Sequence, residues 1–123
     1  AIKHKIKFAA MSYWTVAWDA LIKVGAHKQC NLPGHAGSFE TSEIMALRPE
    51  LVREPRPHRD GVTDSDPQSF YTAYRDERHQ WLEKINGYTD SPDQGDAERG
   101  KTYLAAIIKS VGQAFVKFHK SGN

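Results

Sequence analysis

His35 and Glu40 stand five positions apart in the run His35-Ala36-Gly37-Ser38-Phe39-Glu40-Thr41-Ser42, at the junction of a glycine-bearing loop and an apolar helical pattern. Imidazole titrates close to neutrality, so it can pass a proton to or from a reacting amide. A helix starting near Gly37 would set free backbone N–H groups and a partial positive charge beside His35, which disfavours the imidazolium and keeps the ring neutral. On that helix Glu40 shares a stripe with Gly37, Ile44 and Leu47 and therefore points inward. An inward carboxylate carries a desolvation cost unless a cation or donors compensate. A metal ion would do so, and so would an arginine or backbone N–H groups. Thr41 and Ser42 then serve as helix-start donors that orient Glu40, and Glu43, at the edge of the stripe, is solvated. Taken without its surroundings, His35 reads as a surface loop histidine.

Trp14, in Ser12-Tyr13-Trp14 just after a predicted strand end, lies where α/β proteins keep their ligand crevices, although burial preference alone makes a tryptophan a core residue. Trp18 and Trp81 read as packing residues. A second metal arrangement would use His27, Cys30 and His35, three possible ligands within nine residues of one loop, but the spacing matches no zinc module. HExxH, paired CxxC, P-loop, GxGxxG and nucleophile-elbow patterns are all missing from the sequence, so peptidase-helix, nucleotide-binding and serine-hydrolase chemistries lack their key residues.

The elements that must position these groups follow from periodicity. Ile2, His4, Ile6 and Phe8 alternate with Lys3, Lys5 and Lys7, and the pattern predicts a strand over residues 5–12 with one wet face. Val16, Ala17, Ala20, Leu21 and Val24 recur at helical spacing up to Gly25, which is suited to end a helix. Residues 25–37 are loop. The next helix runs from about Gly37 to Arg48 and stops at Pro49. A short strand is expected at Leu51-Val52, then a proline-broken surface excursion from Glu54 to Ser69. Phe70 to Ile85 contains helix, with Tyr74, Trp81, Leu82 and Ile85 available to pack, and Asn86-Gly87 marks a turn. Asp93 and Asp96 give a cap-like start to a closing helix, on which Gly100, Leu104, Ile107, Val111, Phe115 and Phe118 form one stripe before Gly122. That stripe is expected to cover one face of a sheet, giving an α/β chain.

Composition sets the outer bounds. The chain has 123 residues, 39% apolar and 26% charged, enough for one globular domain. A formal net charge of +2 with interspersed signs gives no broad footprint for nucleic acid or an anionic membrane. Only a small nucleic-acid module built on the N-terminal lysines would fit such a partner. No segment is apolar enough to span a bilayer, and a single cysteine, Cys30, makes a reducing cytoplasm the expected compartment. The strand pattern starts directly at Ala1, so upstream sequence is expected to have been removed or to lie on another chain.

The wording of residues 35–52, "HAG.FETS..MALRPELV", resembles the second signature of the creatininase (creatinine amidohydrolase) family. Ser12-Tyr13-Trp14 ahead of it resembles that family's substrate-site tryptophan motif. Gly87-Tyr88-Thr89-Asp90-Ser91-Pro92 with Asp96-Ala97-Glu98-Arg99-Gly100-Lys101 is similar to its closing "G..GDP..A..EKG". The resemblance implies a three-layer α/β/α sandwich with a mainly parallel sheet, often a homohexamer, and a two-metal site, commonly zinc or manganese, that hydrolyses an amide C–N bond. Most of the family's metal ligands lie in an N-terminal half, in a Glu-x-His element with a later Asp and an Asn-Gly-His element, none of which precedes the His35 signature here. The resemblance therefore makes residues 1–123 the C-terminal portion of such a domain, partnered by that half or a second subunit of the same enzyme. It implies His35 as the catalytic histidine, Trp14 and Tyr13 as substrate-binding, Glu40 as metal ligand or its immediate support, and Thr41 and Ser42 behind Glu40. Asn31-Leu32-Pro33-Gly34 replaces the tryptophan and acidic residue that creatininases carry before the histidine, so a small amide other than creatinine is the expected substrate. The competing reading is a non-catalytic scaffold subunit that kept the fold and lost the reaction.

Overall fold

Helix is the regular structure of the computed structural model, which describes residues 6–62 and 79–121, and no strand occurs among these residues. In chain order the helices are α1 (Tyr13–Val16), α2 (Trp18–Lys23), α3 (Ser38–Leu47), α4 (His79–Lys84) and α5 (Ala97–Lys120), with short 3-10 turns at Ala26–Lys28, Pro49–Leu51 and Pro92–Gln94. The expected α/β/α sandwich with a mainly parallel sheet is therefore corrected: the described chain is a helical assembly. The reason lies in what a period-two pattern encodes. Alternation marks two faces of an extended segment, but a strand also needs a neighbour to take its N–H and C=O groups. Residues 6–12 are irregular, with no ladder, and Phe8 is 74% exposed. Leu51 ends a 3-10 turn rather than entering a strand. Residues 1–5, which carry the start of that pattern, residues 63–78, which carry most of the excursion and the Phe70–Tyr74 part of the expected helix, and Gly122 lie outside the described residues.

The core is small. Ala17, Leu21, Ala26, Phe39, Tyr103 and Ile107 are buried together, and Tyr13, Trp14, Cys30, Leu32 and Val111 pack around them. The Phe39 and Tyr103 rings lie 5.3 Å apart, joining α3 to α5. The closing helix forms as expected: Asp96 caps it, its Oδ1 accepting from the Arg99 N–H at 2.8 Å. Glu98 in the first turn and Lys117, His119 and Lys120 in the last complement the helix dipole. Of its stripe, Gly100 and Ile107 are buried, Leu104 is half-buried with Tyr103 buried in its place, and Phe115 is 70% exposed, so the far half covers no sheet among the described residues. Lys7 reaches back to that end, donating to the Phe118 carbonyl and to Ser121 Oγ at 3.1 Å, with its ammonium 4.2 Å from the Phe118 ring. No helix among the described residues is long and apolar enough to cross a membrane.

The packing of α3 departs from the sequence expectation in a way that matters for the site. The stripe Glu40-Ile44-Leu47 was to face inward, yet Ile44 and Leu47 are exposed and Glu40 is half-buried. The buried residues are Ser38, Phe39, Ser42 and Glu43. Small residues decide this. A Cβ on Gly100 would lie 1.9 Å from the Ser42 carbonyl oxygen and 3.0 Å from Ala46 Cβ, so α5 approaches α3 backbone to backbone there. Ser42 Oγ donates to the Ser38 carbonyl at 2.5 Å and accepts from the Asp96 N–H at 2.9 Å, tying the two helices at the α5 cap. Helix orientation is thus set by where two backbones can meet, and the apolar residues of α3 are spread around its circumference.

Candidate functional site

The loop that leads into α3 is held from the far side of the chain. Thr89 Oγ1 accepts from the His35 N–H at 2.9 Å, and the Thr89 N–H donates to the His35 carbonyl at 3.0 Å. Gly34, at φ 64°, lets Thr89 approach: a Cβ there would lie 2.7 Å from Oγ1. Asp90, 5% exposed, does the work of a helix cap from outside the helix, its Oδ2 accepting from Asn31 N–H at 3.2 Å and Ser38 N–H at 3.4 Å. Gly37 is required for this, because a Cβ would fall 1.4 Å from Asp90 Oδ1. The His35 ring stands edge-on to Trp81, centroids 5.8 Å apart, and the Ala36 N–H donates to Glu40 Oε2 at 2.6 Å. Sequence reasoning missed Thr89 and Asp90; their signal, in hindsight, was their place in the Gly87–Pro92 motif.

A cleft of about 570 Å³ opens beside α3. Glu40, Thr41, Glu43 and Ile44 come to it from α3, Tyr13 from α1, Arg53 and Arg56 from the loop after α3, and Asn86 and Tyr88 from the turn after α4. Of the residues singled out in the sequence, Tyr13, Glu40 and Thr41 are brought together here. His35 immediately precedes the lining residue Ala36, and Trp14 packs edge-on to Tyr13, ring centroids 5.0 Å apart, against the core. Thr41 also packs closely on Gly95. Ser42 spends its hydroxyl on Ser38 and Asp96, so it orients the helix pair rather than Glu40.

Glu43 is the group the sequence misplaced. Read as a solvated edge residue, it is 7% exposed, the consequence of the Ser42–Gly100 contact that turns its side of α3 inward. Its Oε2 accepts from the Tyr13 hydroxyl at 3.1 Å, and its Oε1 is buried with no hydrogen-bond donor among the described residues. Burial raises its pKa from 4.5 to about 7; the Tyr13 hydrogen bond pulls it back in part, and the Glu40 charge adds to the rise. Burial likewise raises the Tyr13 phenol, reinforced by Glu43, so that phenol stays a donor. A carboxyl poised near neutrality in a cleft can bind, release or take a proton there. Burial also pushes the Cys30 thiol up to about 11, which makes it inert packing, its Sγ 3.1 Å from the Ala26 carbonyl.

Two carboxylates and a phenol do not make a metal cage. Structural or catalytic zinc takes at least three protein ligands, and no group of three or more His, Cys, Asp or Glu side chains able to hold an ion exists among the described residues, the His27, Cys30 and His35 set included. The described residues thus do not by themselves fit the metal.

No curated protein and no solved structure matches this chain. The sequence profile described as creatininase, creatinine amidohydrolase, matches residues 2–115, a span that contains the Tyr13-Trp14 pair, the α3 loop with His35 and Glu40, and the Thr89-Asp90 clamp. The chain belongs to the creatininase family.

Proposed function

We propose that this chain is the C-terminal, substrate-binding part of an amide C–N hydrolase, with the α3 cleft as the place where the small amide sits. Family membership supports an amidohydrolase-type activity, and enzymes of the family are generally metal-dependent. The observation that carries the reading is that the family motif folds into one wall of a cleft, Glu40-Thr41-Glu43, joined there by Tyr13 and, in the next position along the chain from His35, by Ala36.

In this reading Tyr13 lines the substrate space and Trp14, edge-on to it, braces it from the core. Glu40 fixes the His35-Ala36 backbone through its hydrogen bond to the Ala36 N–H. The Thr89 clamp holds both backbone groups of His35, so the imidazole is offered from a defined position, and its role is to deliver a proton to the departing nitrogen. A divalent ion, zinc or manganese, would supply water activation in the complete assembly, held by polypeptide outside the described residues: the N-terminal half or a second subunit.

The test uses the complete assembly, this chain with its upstream half, assayed for ammonia or amine release from a panel of small amides. His35→Ala and Glu40→Ala are expected to lower kcat/KM by about a hundredfold or more with circular dichroism unchanged. Unaltered turnover in both variants would make the chain a scaffold subunit instead. Stoichiometric zinc retained by the isolated chain would overturn the assignment of the ligands to other polypeptide.

A further inference from the structure

Glu43 presents an electrostatic problem that the described residues do not solve. The residue is 7% exposed, one carboxylate oxygen takes the Tyr13 hydroxyl, and the other, buried, meets no donor among the described residues. The charge acting on it is that of Glu40, of its own sign. Arg53 and Arg56 line the same cleft, and neither forms a hydrogen bond or ion pair with Glu43: Arg56 Nη1 donates to the Gly95 carbonyl at 3.0 Å and to Met45 Sδ at 3.1 Å, and its Nε lies 3.0 Å from Glu54. An uncompensated buried carboxylate on a cleft wall is the arrangement expected where the missing cation arrives with the ligand.

We propose that the Glu43 end of the cleft binds the protonated amino group of the substrate, so that the preferred substrate is a small amide carrying a primary ammonium. The inference rests on the reading of this cleft as the amide-binding site. An ammonium offers three donors and no acceptor. Glu43, Glu40 and the Tyr13 hydroxyl oxygen offer it acceptors alone, since the Tyr13 hydrogen is already given to Glu43. The terminal torsion of a glutamate is broad and two-fold, so either Glu43 oxygen can turn to the cleft as the ligand enters. A single positive charge suits the site better than a divalent ion, because the described donors fall short of a coordination shell. An amine is therefore selected by charge at the Glu43 end of the cleft.

The experiment is a nuclear magnetic resonance titration of the full chain at pH 8 with three probes of matched length: 3-aminopropanamide, butanamide and butylamine. The two amines are expected to shift resonances of Tyr13, Glu40 and Glu43, with 3-aminopropanamide binding at least about tenfold more tightly than butanamide. Glu43→Gln, nearly isosteric, is expected to remove that preference. Glu40→Gln, at a half-exposed position, should weaken amine binding severalfold and keeps the test decisive if the first variant loses its fold. Equal affinity for 3-aminopropanamide and butanamide, or amine binding unaffected by both substitutions, would overturn the inference while leaving the amide site in place. Amine binding together with no amide turnover by the complete assembly would do the reverse, sparing the ammonium site and removing the hydrolase reading.

Discussion

Replacing Glu43 by glutamine tests whether the cleft stores a destabilising charge. The carboxyl titrates at about 7 in the folded chain and at 4.5 when free of it. Between those values the native state holds more protons than the unfolded state, so wild-type stability falls as pH rises from about 4.5 to about 7, then levels off. Below 4.5 the carboxyl is protonated in both states and its contribution to the pH dependence vanishes. The full difference corresponds to about 3 kcal/mol; water in the open cleft screens part of it, leaving about 1–2 kcal/mol. Glutamine cannot ionise. It retains an oxygen for the Tyr13 hydroxyl, and any cost of its buried amide hydrogens is the same at every pH. The variant-minus-wild-type difference in urea unfolding free energy, measured from pH 5 to pH 8, is therefore expected to shift by about 1–2 kcal/mol in favour of the variant. A difference flat across that range, or one moving in favour of wild type, would refute the burial argument and with it the idea of a charge awaiting a partner.

Two further substitutions test the scaffold beneath the site. Gly100→Ala is expected to destabilise by about 3 kcal/mol in chemical denaturation, because the added methyl would meet the Ser42 carbonyl at 1.9 Å and neither backbone can yield; a loss under about 1 kcal/mol would show the helices free to part. Asp96→Ala removes the α5 cap and should cost about 1 kcal/mol with the midpoint lowered and the urea slope unchanged.

The two substitutions separate kinds of information. Asp96 capping α5 and Gly25, at φ 81°, ending the α2 region are local features, and each was legible because its cause lies within a few residues. The same holds for the stop at Pro49 and for the loop over residues 25–37. Glu43 was not legible, for its burial depends on a contact between residues 42 and 100 that no window of periodicity spans. Asp90 and Thr89 were missed for the same reason, since they act on a loop more than fifty positions earlier.

The amino-acid order by itself determined that the α2, α3 and α5 stretches are helical, that α3 stops before Pro49 and α5 starts at Asp96, and, through the His35–Val52 signature and the motifs around it, the family to which the chain belongs. Tertiary structure alone decided that residues 6–12 find no strand to pair with among the described residues and that α3 turns Glu43 toward the cleft while Ile44 and Leu47 face out. Caps, prolines and glycines act on neighbouring dihedral angles, so they can be read in place. The face a helix buries, and the company a carboxylate keeps once buried, are settled by distant backbone that must come close enough to touch.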